Sequence, residues 1–247
     1  KMFFSSDRLR KILEYTVVFL GGNPKNTQSL YSLMSHVDFN LGVWYPKGGM
    51  NAVAKGMEQL AKELGVTFRY NTPVNKIIVK DGLATGVKTG KETIHADLII
   101  ANADYQHVEE HLLDKPHRSY SKKYWETRTM APSGFVMYLG LDKRIDNLQH
   151  HTLFLEEDWQ AHFDEIFKDP QWPKAPSFYV CVPSKTDPNV APHGMENLFV
   201  LVPVASGLKD TPKARKAMEA IVFDRLRSMT GIDIEKHIVT KHVYAHR

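Results

Sequence analysis

Four apolar residues in unbroken succession after a single acid, Asp97-Leu98-Ile99-Ile100-Ala101, constrain this chain more than any other feature. A strand with one wet face alternates apolar and polar residues, whereas an unbroken apolar run suits a strand covered on both faces. The run ends at Asn102-Ala103-Asp104, and what precedes it fits a covered layer. After Gly42-Val43-Trp44-Tyr45-Pro46-Lys47-Gly48-Gly49, residues Met50, Val53, Met57, Leu60, Ala61 and Leu64 recur at helical spacing until Gly65. Strands are then predicted over 66–70, 74–80, 83–88 and 93–95, with Asp81-Gly82 and Thr89-Gly90 as turns. Helix, meander and covered strand in this order suggest part of a nucleotide-binding layer rather than a free-standing domain.

Beyond this layer the pattern changes. Strands are predicted over 134–141, 152–156, 177–183, 197–204 and 237–244, with a helix over 159–168. Thr211-Pro212 opens a long helix in which Ala214, Ala217, Met218, Ile221, Val222, Leu226 and Met229 share a face, and Gly231 closes it. Upstream, helices are predicted over 6–20, stopping at Gly21-Gly22-Asn23-Pro24, and over 27–38. The expected fold class is α+β, with a mixed, largely antiparallel sheet and helices beside an incomplete α/β layer. Three segments follow from this: 1–44, 45–104 and 105–247.

Several function classes drop out. The 32 Lys and Arg are interspersed with 28 Asp and Glu, a net +4, so nucleic acid is not an expected partner. No run approaches the ~20 consecutive apolar residues of a spanning helix. No export signal is read at the start, and a cytoplasmic location is expected. The single cysteine, Cys181, excludes an internal disulfide and reads as a small buried strand residue. No two glycines are separated by one residue, so no G-x-G-x-x-G loop is present in any frame. His107-Val108-Glu109-Glu110-His111 places two histidines four apart, but Val108 stands where a zinc protease needs its glutamate. That stretch reads as a polar, solvated helix, and no metal ligands are assigned.

The blocks Gly21-Gly22-Asn23-Pro24, Gly42 to Gly49, Asn71-Thr72-Pro73-Val74 and Asn102-Ala103-Asp104, in this order and spacing, resemble the middle of bacterial-type phytoene desaturases. These belong to the wider family of flavin-containing amine oxidases and desaturases. Later blocks carry the same resemblance: Leu148-Gln149-His150-His151-Thr152, the stretch 178–203 with Thr186-Asp187-Pro188, and Val239-Thr240-Lys241-His242.

The resemblance implies an internal piece of an FAD-dependent carotenoid desaturase. Segments 1–44 and 105–247 would form its substrate domain and 45–104 part of its FAD-binding domain. It implies Gly48, Gly49, Val74, Asn102 and Ala103 as cofactor-contacting positions. Because the phosphate loop is missing, FAD is not expected to be retained by this piece alone. The implied reaction passes a hydride from a long polyene to the flavin and loses a proton, and the flavin supplies the difficult chemistry. Such a substrate is gripped only through apolar surface, at ~25 cal/mol per Å² buried. Phe135, Met137, Tyr138, Phe178, Tyr179 and Phe199 are candidates to line its tunnel, and strand alternation allows about half of them to do so. No catalytic acid or base is named. His150 and His151 have ordinary pKa values near ~6.5, suited to taking a proton, but also read as a polar surface pair.

Residues 1–20 alternate basic and apolar positions and would dock on a membrane surface, making the protein peripherally membrane-associated. Uncovered edges of the 66–101 strands would invite self-association. Two other readings stand beside this one: a non-catalytic lipid- or polyene-binding module, and a related carotenoid isomerase or retinol saturase.

Overall fold

The structure, a computed structural model, describes residues 4–19, 21–128, 130–155 and 158–245. The longer helices are α1 (Asp7–Glu14), α2 (Gly49–Glu63), α3 (Trp159–Phe167) and α4 (Pro212–Thr230). The strands are β1 (Val74–Lys80), β2 (Leu83–Thr89), β3 (Thr93–His95), β4 (Ser133–Leu141), β5 (His151–Phe154), β6 (Phe178–Cys181), β7 (Glu196–Val204) and β8 (Ile238–Tyr244). Their contacts divide the chain into two compact units. One holds residues 1–57 and 130–247, and the other holds 58–129. Among the described residues no helix is long and apolar enough to cross a membrane.

The larger unit is built on an antiparallel sheet of order β5-β6-β7-β4-β8. Alternation along β7 is complete. Leu198, Val200, Val202 and Val204 are buried, while Asn197, Phe199, Leu201 and Pro203 are half-exposed. Phe135, Met137, Leu139 and Leu141 of β4 share the buried face, and Met218, Val222, Phe223 and Leu226 of α4 join them in one core. Two-residue periodicity thus fixes which face each side chain takes, and four-residue spacing fixes the stripe that covers it. Helix α4 has the predicted ends. Thr211 Oγ1 accepts from Ala214 N at 3.1 Å, Pro212 occupies the first turn, and Gly231 closes the helix at φ 72°.

The smaller unit contains the meander β1-β2-β3. Asp81 and Gly82 both have positive φ (50° and 78°) between paired Lys80 and Leu83, the geometry a right-twisted two-residue hairpin needs. After the strands, Tyr105–His107 begins a helical segment that continues as a wider π turn, Val108–Leu112.

Several expectations are corrected. Residues 66–70 form no strand. Among the described residues the 97–101 run is paired with no strand either, and Leu98 and Ile100 are 75% and 83% exposed, with no described element covering them. The 6–20 helix breaks at Tyr15, with Thr16–Phe19 a separate turn, and Leu20 lies outside the described residues. The 27–38 helix is three short pieces, Ser29–Ser32, Leu33–His36 and Val37–Leu41, of 3-10, α and π type. Only Ser35 is buried there, so little packing holds a regular helix together. The His107-to-His111 stretch is not simply solvated. Glu109 is 1% exposed and accepts from the backbone N–H groups of Ser119 and Tyr120 at 2.9 and 3.0 Å. Burial alone would raise its pKa, but these two donors, with help from Tyr105, prevail and hold the carboxyl below the usual range.

Candidate functional site

The face of the large sheet opposite the core is aromatic. Direct pairing sets Tyr138 against Phe199, His242 against Tyr138, Phe199 against Cys181, and Cys181 against His151. These residues share one face because paired residues project together. Tyr138 and Phe199 lie with ring centroids 5.2 Å apart, Tyr179 and Phe199 at 6.2 Å, and Tyr138 and Tyr244 at 6.0 Å.

At the β5–β6 edge this face becomes polar. His151 Nδ1 and Tyr179 Oη are 2.5 Å apart, and Tyr179 is also hydrogen-bonded to the Cys181 thiol. Val182 N donates to His150 O at 2.8 Å, extending the ladder by one step and fixing His150 beside His151, with rings 4.4 Å apart. His150 Nδ1 meets Thr186 Oγ1 at 2.7 Å, while its Nε2 is buried with no hydrogen-bond partner among the described residues. The Tyr45 ring stands edge-on to His150 at 4.9 Å.

Burial is the main influence on these groups. It lowers the pKa of His150, with the charge of His151 adding to the effect, and lowers that of His151 against the opposing pull of Asp38. Both imidazoles are therefore biased to the neutral form, a state able to accept a proton or bind a metal. Burial also raises Tyr179 and Cys181, in the second case against a lowering hydrogen bond from Tyr179. Nearby, Tyr15 is pushed up to about 12 by burial and by its 2.6 Å hydrogen bond to Asp38.

Gly48 and Gly49 belong to this neighbourhood. Both have left-handed φ, 82° and 75°, and a Cβ on Gly49 would stand 2.8 Å from Tyr45 Oη. Two glycines let the chain turn into α2 beneath Tyr45, which in turn touches His150. Val74, Asn102 and Ala103 fall in the smaller unit. Val74 is the first residue of β1, and Asn102 and Ala103 are exposed irregular backbone after the uncovered apolar run.

A cavity of about 430 Å³ adjoins the histidine cluster through Tyr179, and Trp159, Phe163, Phe178, Leu153 and Leu201 supply much of the rest of its wall. Among the described residues no Asp, Glu, Lys or Arg lines it. Of the six candidates for a tunnel, Phe178 and Tyr179 reach this cavity. Phe135 and Met137 do not, being fully buried in the core under α4. Tyr138 and Phe199 border a second hollow of about 490 Å³ near β8.

Sequence reasoning missed the joining of Tyr45, His150, His151, Tyr179 and Cys181. Cys181 reads in sequence as a buried packing residue, yet it is half-exposed on the aromatic face. The available signal was parity. Phe178 and Val180 carry the core, so Tyr179 and Cys181 must point the other way.

Comparison with known proteins agrees with this architecture. The chain is 46% identical to the carotenoid 3,4-desaturase of Haloarcula japonica over 98% of its own residues and 49% of the relative's. It is 37% identical to the zeta-carotene-forming phytoene desaturase of Myxococcus xanthus over 82% of this chain and 39% of that one. The chain thus spans half or less of the length of these curated relatives. A solved Pyrococcus furiosus protein shares the fold at a TM-score of 0.64, with 15% identity over 97% of this chain and 54% of that one. An oxidoreductase from Methanosarcina mazei does so at 0.61, with 15% identity over 98% and 54%. The model of the family described as flavin containing amine oxidoreductase matches residues 2–246, and the chain belongs to that family.

Proposed function

We propose that this chain supplies the substrate-binding sheet and part of the flavin layer of an FAD-dependent carotenoid desaturase acting on a long apolar polyene. The observation that carries the reading is the 430 Å³ cavity, whose described wall holds aromatic and aliphatic side chains and, among the described residues, no Asp, Glu, Lys or Arg. Its size lies in the range of small-molecule sites, and an uncharged wall suits a ligand with nothing to pair. The named desaturase relatives supply the substrate class.

The residues present are compatible with contacts to a flavin. The Gly48-Gly49 turn needs bare backbone, since a Cβ at Gly48 would press on Ala52 at 3.2 Å and one at Gly49 on Tyr45. Asn102 and Ala103 offer exposed backbone. On this reading Gly48 and Gly49 are the flavin-contacting positions of the larger unit, and Val74, Asn102 and Ala103 are those of the smaller one; FAD, when bound, would supply the acceptor for the hydride. The apolar wall positions the polyene and excludes water. We assign docking on a membrane from the cytoplasmic side to α1, whose Leu9 and Ile12 are exposed. Asp7 partly neutralises Arg10 and Lys11, which favours apolar over electrostatic attachment.

The test is direct binding of a linear C40 polyene, read by quenching of Trp159. The expected result is saturable quenching that Trp159→Phe removes and Leu201→Trp, which fills the cavity, weakens at least tenfold. Quenching that Leu201→Trp leaves unchanged would place the ligand elsewhere and overturn the reading.

A further inference from the structure

We propose that His150, His151 and Cys181 form a site for a borderline-soft divalent cation of the Zn²⁺ class. Among the described residues this is one group in which three ligand-type atoms converge. One ring nitrogen from each histidine and the Cys181 Sγ lie within 4.8 Å of one another. The chemistry of the set is selective. Two imidazoles and a thiolate suit zinc-like ions, and without a carboxylate or carbonyl they do not suit Mg²⁺ or Ca²⁺.

The surroundings support a ligand here independently of that convergence. Metal-bound histidines as a rule have their second nitrogen held by a hydrogen bond, which fixes the ring. His150 has this arrangement. Nδ1 is held by Thr186 Oγ1 at 2.7 Å, and Nε2 is buried with no hydrogen-bond partner among the described residues, beside a thiol and a second imidazole. Buried polar atoms without partners are costly and uncommon, and a bound cation would satisfy this one. The backbone is equally fixed. His151 and Cys181 are directly paired on neighbouring strands, and His150, one residue before β5, is tied to the sheet by Val182 N donating to its carbonyl. Tyr179, hydrogen-bonded to both His151 and Cys181, buttresses two of them. Three protein ligands leave one position of a tetrahedral ion open to water or another donor.

The Cys181 thiol surrenders its proton to solvent on binding, the histidines bind as neutral rings, and no redox step is involved. The ion would sit beside Tyr45 at the polar margin of the aromatic face.

The experiment uses the whole 247-residue chain, free of any affinity tag and stripped with chelator. It is titrated with Zn²⁺ by competition against a chromophoric chelator, and with Co²⁺ by absorption. The expected result is one ion per chain, with a near-ultraviolet thiolate-to-cobalt charge-transfer band and intense visible bands of a tetrahedral site. Cys181→Ser abolishes the charge-transfer band. Thr186→Val, which removes only the support of His150, weakens Zn²⁺ about 10–100-fold. His193→Ala, outside the group, changes nothing. Thermal unfolding of the metal-free variants, matching the parent, separates lost ligation from lost folding. Absence of stoichiometric binding in the folded parent, or a cobalt spectrum that survives Cys181→Ser, overturns the proposal.

Discussion

Glu196 offers the sharpest test of how the polar margin of the sheet is held. Its carboxylate is buried at the start of β7, accepts from Ile145 N at 3.0 Å and pairs with Lys185 Nζ at 2.6 Å. Lys185 also donates to Ile145 O at 2.8 Å, while Ser184 and Asn197 exchange two further hydrogen bonds. The turn carrying Thr186 is thereby clamped to β7, and Thr186 holds His150. Glu196→Leu strands the ammonium of Lys185, which is only 19% exposed, and removes the acceptor for a buried N–H. Breaking a buried pair costs about 3–5 kcal/mol; the residual exposure of Lys185 lowers the expectation to about 2–4 kcal/mol. Removing both charges in Glu196→Leu/Lys185→Met should recover about half of that, because no orphaned charge remains. Urea unfolding should show lower midpoints at unchanged slope, and hydrogen exchange at the Thr186 amide, bonded to Pro183 O, should quicken in the single variant. A cost under about 1 kcal/mol for Glu196→Leu, or a double variant as unstable as the sum of the singles, would refute the clamp.

His162 should make stability pH-dependent: Ser177 N donates to its Nδ1, so its Nε2 donates to Pro203 O, and burial lowers its pKa. The unfolded chain binds the proton first, so stability is full above pH ~6.5 and falls as pH drops toward the folded pKa, by up to about 1.4 kcal/mol per unit. His162→Gln should flatten that part of the profile, and an unchanged slope would show that His162 does not contribute. Gly49→Ala forces a side chain at φ 75° against Tyr45 Oη and should cost about 1–2 kcal/mol in chemical denaturation, whereas no loss would mean that the turn relaxes freely. Exposed Leu98 and Ile100 should drive concentration-dependent self-association in sedimentation equilibrium, reduced at least tenfold by Leu98→Asp/Ile100→Lys; a parent that stays monomeric at high micromolar concentration would rule this out.

The strands of the larger unit were legible from their β-branched and aromatic runs, 135–141 and 198–204, although which face each residue takes was not: every residue from Leu198 to Val204 is apolar, and the strict alternation is one of burial. Helix α4 was legible from Thr211-Pro212 and Gly231, residues whose end-capping chemistry is local. The uncovered run at 97–101 misleads because hydrophobicity reports what a segment needs, and covering it depends on residues elsewhere. The segment 27–38 carries helical spacing without the burial that would hold one helix, so local preferences broke it into three. The polar cluster was invisible for a different reason. Tyr45, His150 and Cys181 are far apart in sequence, and only the β5–β6 register and the glycine turn before α2 bring them together.

The division of the larger unit into residues 1–57 and 130–247 has a kinetic side. Its sheet closes only when β4 finds β7 and then β8, partners that lie roughly 60 and 100 residues further along the chain. The inserted unit, by contrast, pairs β1 with β2 across two residues and β2 with β3 across three. Local pairings form early, whereas distant ones must first meet the entropy of loop closure. Folding should therefore proceed from the middle of the chain outward. The 74–95 hairpins would gain exchange protection in an early refolding phase, and β8, the last strand to dock, would complete the sheet in the slow one.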